Sequence, residues 1–160
     1  MTFEDDLQIG FEENAGRKQQ IADDILRSLP RWFGIEEAIV EYVESVKELP
    51  FITLTLSDRA VGFCALKINY DINADLYVLG ILEDFHGMGM GTRMVEFIQD
   101  YCRDKGIRYM TVKTLSEKHP DPNYMKTRKF YEKCGFRPLE EFPDLWGENC
   151  PCLYMLKEVE

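Results

Sequence analysis

The chain has 160 residues, of which 45% are apolar and 30% charged. That composition supports one globular domain with a sizeable core and argues against disorder. Nineteen basic against 29 acidic residues leave a net charge of −10, which repels nucleic-acid phosphate and disfavours a general nucleic-acid binder.

No run approaches eighteen apolar residues, so no membrane span is expected, and the acidic Met1 to Gly10 lacks the basic and apolar regions of a signal peptide. Five cysteines, Cys64, Cys102, Cys134, Cys150 and Cys152, then read as reduced thiols of a cytoplasmic protein. With two histidines and no paired two-residue cysteine spacing, no metal site is expected.

In chain order, a short strand is predicted around Asp6 to Glu12. Asn14 is placed to cap a helix over Ala15 to Leu29, whose Ile21, Ile25 and Leu29 share a face and which Pro30 stops. A second helix is predicted over Ile35 to Leu49, ended by Pro50. Phe51 to Leu56 and Val61 to Tyr70 read as a hairpin turned by Ser57-Asp58-Arg59. Asp71 to Asp75 reads as a polar turn, and Leu76 to Leu82 as a buried central strand. A glycine cluster precedes a helix over Gly91 to Lys105 that Gly106 closes. A strand over Ile107 to Thr114, a polar loop, a helix ending at Cys134, and strands at Phe136 to Leu139 and Cys152 to Lys157 complete the pattern. Hairpins mixed with a strand-helix-strand crossover imply an α+β fold with a mixed, partly antiparallel central sheet flanked by helices.

The segment with most chemical content is Ile81-Leu82-Glu83-Asp84-Phe85-His86-Gly87-Met88-Gly89-Met90-Gly91-Thr92. A buried strand runs into three alternate glycines, and a helix begins at once. Glycine lets backbone approach a ligand closely, and a helix start presents unpaired amides with the positive dipole end beside them. That arrangement suits a phosphate or pyrophosphate. A P-loop would need Lys after the last glycine, where Thr92 and Arg93 stand, and a dinucleotide fingerprint would need glycine at position 92. A closely packed strand-to-helix turn is the alternative without a ligand.

This segment resembles the signature of the GNAT superfamily of acetyl-CoA-dependent N-acetyltransferases, Arg/Gln-x-x-Gly-x-Gly/Ala, here His86-Gly87-Met88-Gly89-Met90-Gly91. A second block, Phe130-Tyr131-Glu132-Lys133-Cys134-Gly135-Phe136, resembles the family's Phe-Tyr-Glu-Lys-x-Gly-Phe. The likeness spans residues 35 to 157 well and the first helix more loosely. His86 departs from the family's Arg or Gln.

The resemblance implies a splayed pair of central strands, with the backbone of Leu79, Gly80 and Ile81 pairing with the pantetheine amides. It assigns His86, Gly87, Met88, Gly89, Met90, Gly91 and Thr92 to the pyrophosphate. Gly80 inside an apolar strand independently suggests a bulge or close backbone approach. Acetyl-CoA is then the co-substrate, and a small-molecule or peptide amine the acceptor. No nucleic-acid, membrane or metal partner is expected, and a homodimer is the expected assembly.

A lysine-like amine is neutral in roughly one molecule in a few thousand at pH 7, a deficit on the order of 4–5 kcal/mol that a base or water chain must offset. The Ile81 amide is the candidate oxyanion donor. Tyr131, protonated at neutral pH, is the candidate acid for the leaving thiolate, against the alternative of an amphipathic core residue. Asp75, at the head of the central strand, is the first candidate base; Glu83, Asp84 and His119 are others. The resemblance implies that the loop Pro30 to Gly34, for which a hydrophobic staple is the alternative, and the segment Pro143 to Gly147 line the acceptor pocket. Cys134 reads as structural. The expected function is amine acetylation by direct attack, with no acyl-enzyme; non-catalytic acyl-CoA binding or sensing and a nucleotide-phosphate module are the alternatives.

Overall fold

The computed structural model describes residues 6–160. Seven strands form one sheet in the order β1-β2-β3-β4-β5-β7-β6: β1 (Leu7–Phe11), β2 (Phe51–Leu56), β3 (Arg59–Asn69), β4 (Asn73–Ile81), β5 (Tyr109–Leu115), β6 (Arg137–Phe142) and β7 (Cys152–Glu158). Among the described residues four helices of ten residues or more accompany them: α1 (Ala15–Arg27), α2 (Glu36–Ser45), α3 (Met90–Lys105) and α4 (Pro122–Lys133). This is an α+β fold with a mixed sheet, in the element order the hydrophobic pattern implies. The chain divides into two compact units, residues 1–67 with 77–98, and residues 68–76 with 99–160.

In the first unit, α1 starts where the Asn14 side chain accepts from the Arg17 amide at 2.9 Å, satisfying one of the helix's unpaired donors. Its inner face buries Ile21, Ala22, Ile25 and Leu26 against Ile39, Val46, Phe51, Phe63, Ala65 and Val78. The Phe51 and Phe63 rings stack with centroids 5.1 Å apart. One charge lies on that inner face. Lys18 is buried, and its Nζ donates to the Leu49 carbonyl at 2.8 Å, so the cation is held by backbone at the end of the following helical segment. That segment differs from the pattern's expectation: α2 stops at Ser45 and tightens into a 3-10 turn over Val46–Glu48, a frequent form of last turn, ahead of Pro50.

The β2–β3 hairpin turns at Ser57 and Asp58, both at positive φ, the handedness that matches strand twist. Its register passes from Leu54↔Gly62 to Thr55↔Ala60, so Val61 is an extra residue in β3. Gly80 in β4 is surrounded closely: a Cβ there would lie 3.0 Å from Ile25 Cγ2 and 3.3 Å from Phe63 Cε1. Packing of α1 on the strand therefore requires glycine at 80 with or without a ligand.

In the second unit, β7 lies antiparallel between β5 and β6, in register from Tyr109↔Glu158 to Leu115↔Cys152 on one side and from Arg137↔Leu156 to Phe142↔Cys152 on the other. β4 joins β5 in parallel through Asn73↔Tyr109, Ala74↔Met110 and Asp75↔Thr111. Residues 73–75, expected in a turn, are thus strand. Pairing with β5 satisfies their backbone, and side-chain bonding described below satisfies Asp75.

Removing the α1 cap tests this account. Asn14→Ala should cost about 1 kcal/mol, a fall in melting temperature of roughly 2–4 °C for a chain of this size, with an unchanged far-ultraviolet spectrum. A melt identical to wild type would show that the cap contributes nothing.

Candidate active site

The first cluster of candidate residues is continuous in the first unit. The peptide joining Ile81 to Leu82 ends β4. Its N–H, on Leu82, donates to the Val61 carbonyl at 2.9 Å. Its C=O, on Ile81, lies 2.6 Å from His86 Nε2. Because a trans peptide directs its N–H and C=O oppositely, His86 meets β4 on the edge away from β3. A carbonyl only accepts, so Nε2 carries the hydrogen, and a neutral His86 has only an acceptor left at Nδ1.

A 3-10 turn, Glu83–Phe85, closes the route from strand to loop: the Phe85 amide donates to the Leu82 carbonyl at 2.9 Å and the His86 amide to Glu83 at 3.0 Å. Gly87 and Gly89 follow at φ of 75° and 79°, a region that side chains with a Cβ avoid. A Cβ at either would meet nothing within 4 Å. The first intrahelical bond of α3 runs from the Arg93 amide to the Gly89 carbonyl at 3.1 Å. The amides of Met90, Gly91 and Thr92 therefore have no intrahelical acceptor and lie at the positive end of a 16-residue helix. A phosphate group fits such a turn.

The loop between α1 and α2 also reaches this turn. Trp32 meets the His86 ring edge-on with centroids 5.3 Å apart, and Arg31 Nη1 lies 3.3 Å from Glu83 Oε2. Glu83, one of the base candidates, is thus an exposed ion-paired carboxylate; Asp84 is exposed.

Asp75 and Tyr131 lie in the second unit. Asp75 is buried. Thr111 Oγ1 lies 2.8 Å from Asp75 Oδ1 and 3.1 Å from Asn73 Oδ1; it has one hydrogen to give, and the charged carboxylate is the stronger acceptor. Lys113 Nζ lies 3.9 Å from Asp75 Oδ2 and 4.9 Å from the centre of the Tyr154 ring. Reasoning from sequence missed Thr111 and Lys113. Their signal was two polar residues at alternate positions, on one face of the strand. Beside them, burial pushes the Cys152 thiol up to about 11, with Lys113 acting the other way and Asp75 adding to it.

Tyr131 is the buried residue of α4. The helix is started by Asp121, whose Oδ1 accepts from the Asn123 amide at 2.8 Å, with Pro122 in its first turn. It ends in a Schellman-type closure: the Phe136 amide donates back to the Tyr131 carbonyl at 3.0 Å, with Gly135 at φ 102°. Lys157 Nζ donates to the Cys134 carbonyl at 2.6 Å, a cation at the negative helix end. The Tyr131 ring is fixed between Phe130, 5.2 Å away, and Phe136, edge-on at 5.7 Å. The block Phe130 to Phe136 is therefore a helix terminus built around one tyrosine. His119, the remaining base candidate, has a buried Nδ1 without a hydrogen-bond partner. Among the described residues no group of three or more His, Cys, Asp or Glu side chains is placed to hold a metal ion, and no helix is long and apolar enough to cross a membrane.

Three comparisons with known proteins bear on these clusters. A model of the Acetyltransferase (GNAT) family matches residues 18–136. An uncharacterized N-acetyltransferase of Chlorobaculum tepidum is 22% identical over 122 residues, covering 73% of this chain and 70% of its own. Among solved structures, a GNAT-family protein from Desulfovibrio desulfuricans superposes with a TM-score of 0.81 at 15% identity, over 96% of this chain and 99% of its own. An aminoglycoside 6'-N-acetyltransferase solved with coenzyme A gives 0.75 at 19% identity, over 96% and 97%.

The thiol beside Asp75 gives a pH test. Folding raises Cys152 from about 9 to about 11, so the unfolded chain loses that proton first as pH rises. The contribution to stability is present below pH 9 and lost progressively between pH 9 and 11, at up to about 1.4 kcal/mol per pH unit for one group. Urea midpoints over that range should fall less steeply in Cys152→Ala than in wild type; parallel slopes would show that the thiol is not raised.

Proposed function

The chain belongs to the GNAT family of acetyltransferases, and we propose that it moves the acetyl group of acetyl-CoA onto a primary amine of an acceptor by direct attack. The observation that carries this reading is the end of β4. Two glycines at positive φ, with open space where side chains would stand, lead into three helix-start amides without intrahelical acceptors. The family match covers residues of both compact units, which supports taking residues 1–160 as one N-acetyltransferase domain.

In this reading acetyl-CoA supplies the acyl group as a thioester. Its pyrophosphate is held by the backbone from Gly87 to Thr92, and its pantetheine arm runs along Leu79, Gly80 and Ile81 and pairs through the Leu79 backbone, since the Gly80 groups turn to β3 as those of Leu82 do. The Ile81 N–H donates to the carbonyl oxygen as negative charge develops there. The amine nitrogen forms the new bond to the carbonyl carbon, and the carbon–sulfur bond breaks. The proton leaving the amine passes through water towards the Asp75 carboxylate. The Tyr131 hydroxyl donates its proton to the departing sulfur and is reprotonated from solvent. The acceptor is a small-molecule or peptide amine, and the excess of acid in the chain favours a cationic one.

The direct test is a panel of amines with acetyl-CoA, read by release of free thiol; no turnover on any amine, with acetyl-CoA still bound, would convert the reading to acyl-CoA sensing. Two substitutions test the assigned parts. Gly89→Val places a branched side chain where backbone and phosphate would meet. In a protein shown to be folded, acetyl-CoA affinity should fall at least about tenfold, and unchanged binding by calorimetry would remove the phosphate assignment. Tyr131→Phe keeps the ring and its contacts with Phe130 and Phe136. Acetyl-CoA affinity should hold while kcat falls on the order of 10²-fold, and less for a donor with a more acidic thiol. A wild-type rate with chemistry limiting would leave Tyr131 as packing alone.

A further inference from the structure

We propose that His86 is a positioning residue for the acyl-transfer step, acting through the last peptide of β4 and not by contact with phosphate. This rests on the reading above only in taking the Ile81 N–H as the donor to the reacting carbonyl.

The argument starts at the Ile81–Leu82 peptide. Its N–H is fixed by Val61 and its C=O by His86 Nε2. A planar peptide held by both polar groups has no freedom to rotate. In an extended strand a residue's own N–H and C=O leave by the same edge. The Ile81 N–H, proposed for the oxyanion, belongs to the preceding peptide and projects from the edge on which His86 sits; His86 acts on it through the Ile81 Cα, by fixing the peptide plane on the far side of that carbon. Without that bond the peptide is anchored only on the β3 side, at the point where the chain turns out of the sheet into the 3-10 segment.

Three further observations favour positioning over phosphate contact. A neutral ring donating through Nε2 offers phosphate only the Nδ1 lone pair, which phosphate oxygen cannot use. Protonation of Nδ1 leaves the Nε2–H bond in place, so the tie persists in both charge states. The ring is also held on its other side by the edge contact with Trp32, which fixes its plane. The turn itself carries Glu83, paired with Arg31, and Asp84, and none of these charges is needed for the tie. Nothing in the family signature predicts the bond, because Arg or Gln at this position is read as a ligand contact.

The experiment uses the full chain and two substitutions. His86→Phe keeps a flat ring beside Trp32 and removes the donor; His86→Gln restores an N–H donor without the ring. In His86→Phe, kcat should fall about tenfold while the dissociation constant for acetyl-CoA, measured by calorimetry, stays within about twofold. His86→Gln should recover most of the lost rate. A His86→Phe protein that keeps its kcat, or that loses acetyl-CoA affinity with kcat intact, overturns the proposal. So does a Gln variant no better than Phe. A readout independent of activity separates this from failure of the enzymatic reading: nitrogen NMR of the wild-type ring should show hydrogen on Nε2 in the neutral form, and amide exchange at Leu82 should quicken in His86→Phe. Hydrogen on Nδ1, or unchanged exchange at Leu82, sinks the tie whether or not an acceptor amine has been found.

Discussion

The peptide between Ile81 and Leu82 constrains everything that follows it. One side closes the β3–β4 ladder at Val61, and the other is bound by a side chain five residues ahead. The chain between must turn back within Leu82 to His86, which it does as a single 3-10 turn. Only then do Gly87 and Gly89 take backbone angles other residues avoid, and α3 starts with three outward amides. Bonds that begin in the sheet carry the chain as far as His86, and the backbone angles at Gly87 and Gly89 complete the turn into the helix.

Two buried charged residues show the same economy elsewhere. Lys18 faces the core of the first unit yet bonds the Leu49 carbonyl. Asp75 is buried in the second unit yet accepts from Thr111, with Lys113 close by. An unpaired charge in either place would cost several kcal/mol. Each is instead matched by groups of its own unit, Lys18 by backbone left over at a helix end and Asp75 by side chains of the adjoining strand. A base role for Asp75 would be exercised by a carboxylate whose orientation is already fixed.

The second motif has a structural logic that runs beside its chemical one. Tyr131 has its carbonyl closed by the Phe136 amide and its ring packed on Phe130 and Phe136, and Lys157 closes the next carbonyl. Packing alone accounts for a ring at this position. The hydroxyl is what packing does not require, and it is the part to which the proposed acid role is assigned.

Much of this was legible in the residues themselves. Periodicity gave the element order, Asn14 marks a helix start, and the alternate glycines with Phe130 to Phe136 pointed to the family. These are local signals: capping, left-handed turns and amphipathic faces are decided within a few residues. Three things were decided only by distant residues. Asn73 to Asp75 look like a turn and are strand, because Tyr109 to Thr111 supply the bonds that make polar residues tolerable there. Gly80 looks like a ligand contact, and its crowding comes from Ile25 and Phe63. His86 looks like a weak substitute for Arg or Gln, and is tied to Ile81 and Trp32. A hydrogen bond or a steric contact is settled by what lies opposite a residue in space, and that is set by the sheet and the helices packed on it, not by sequence neighbours.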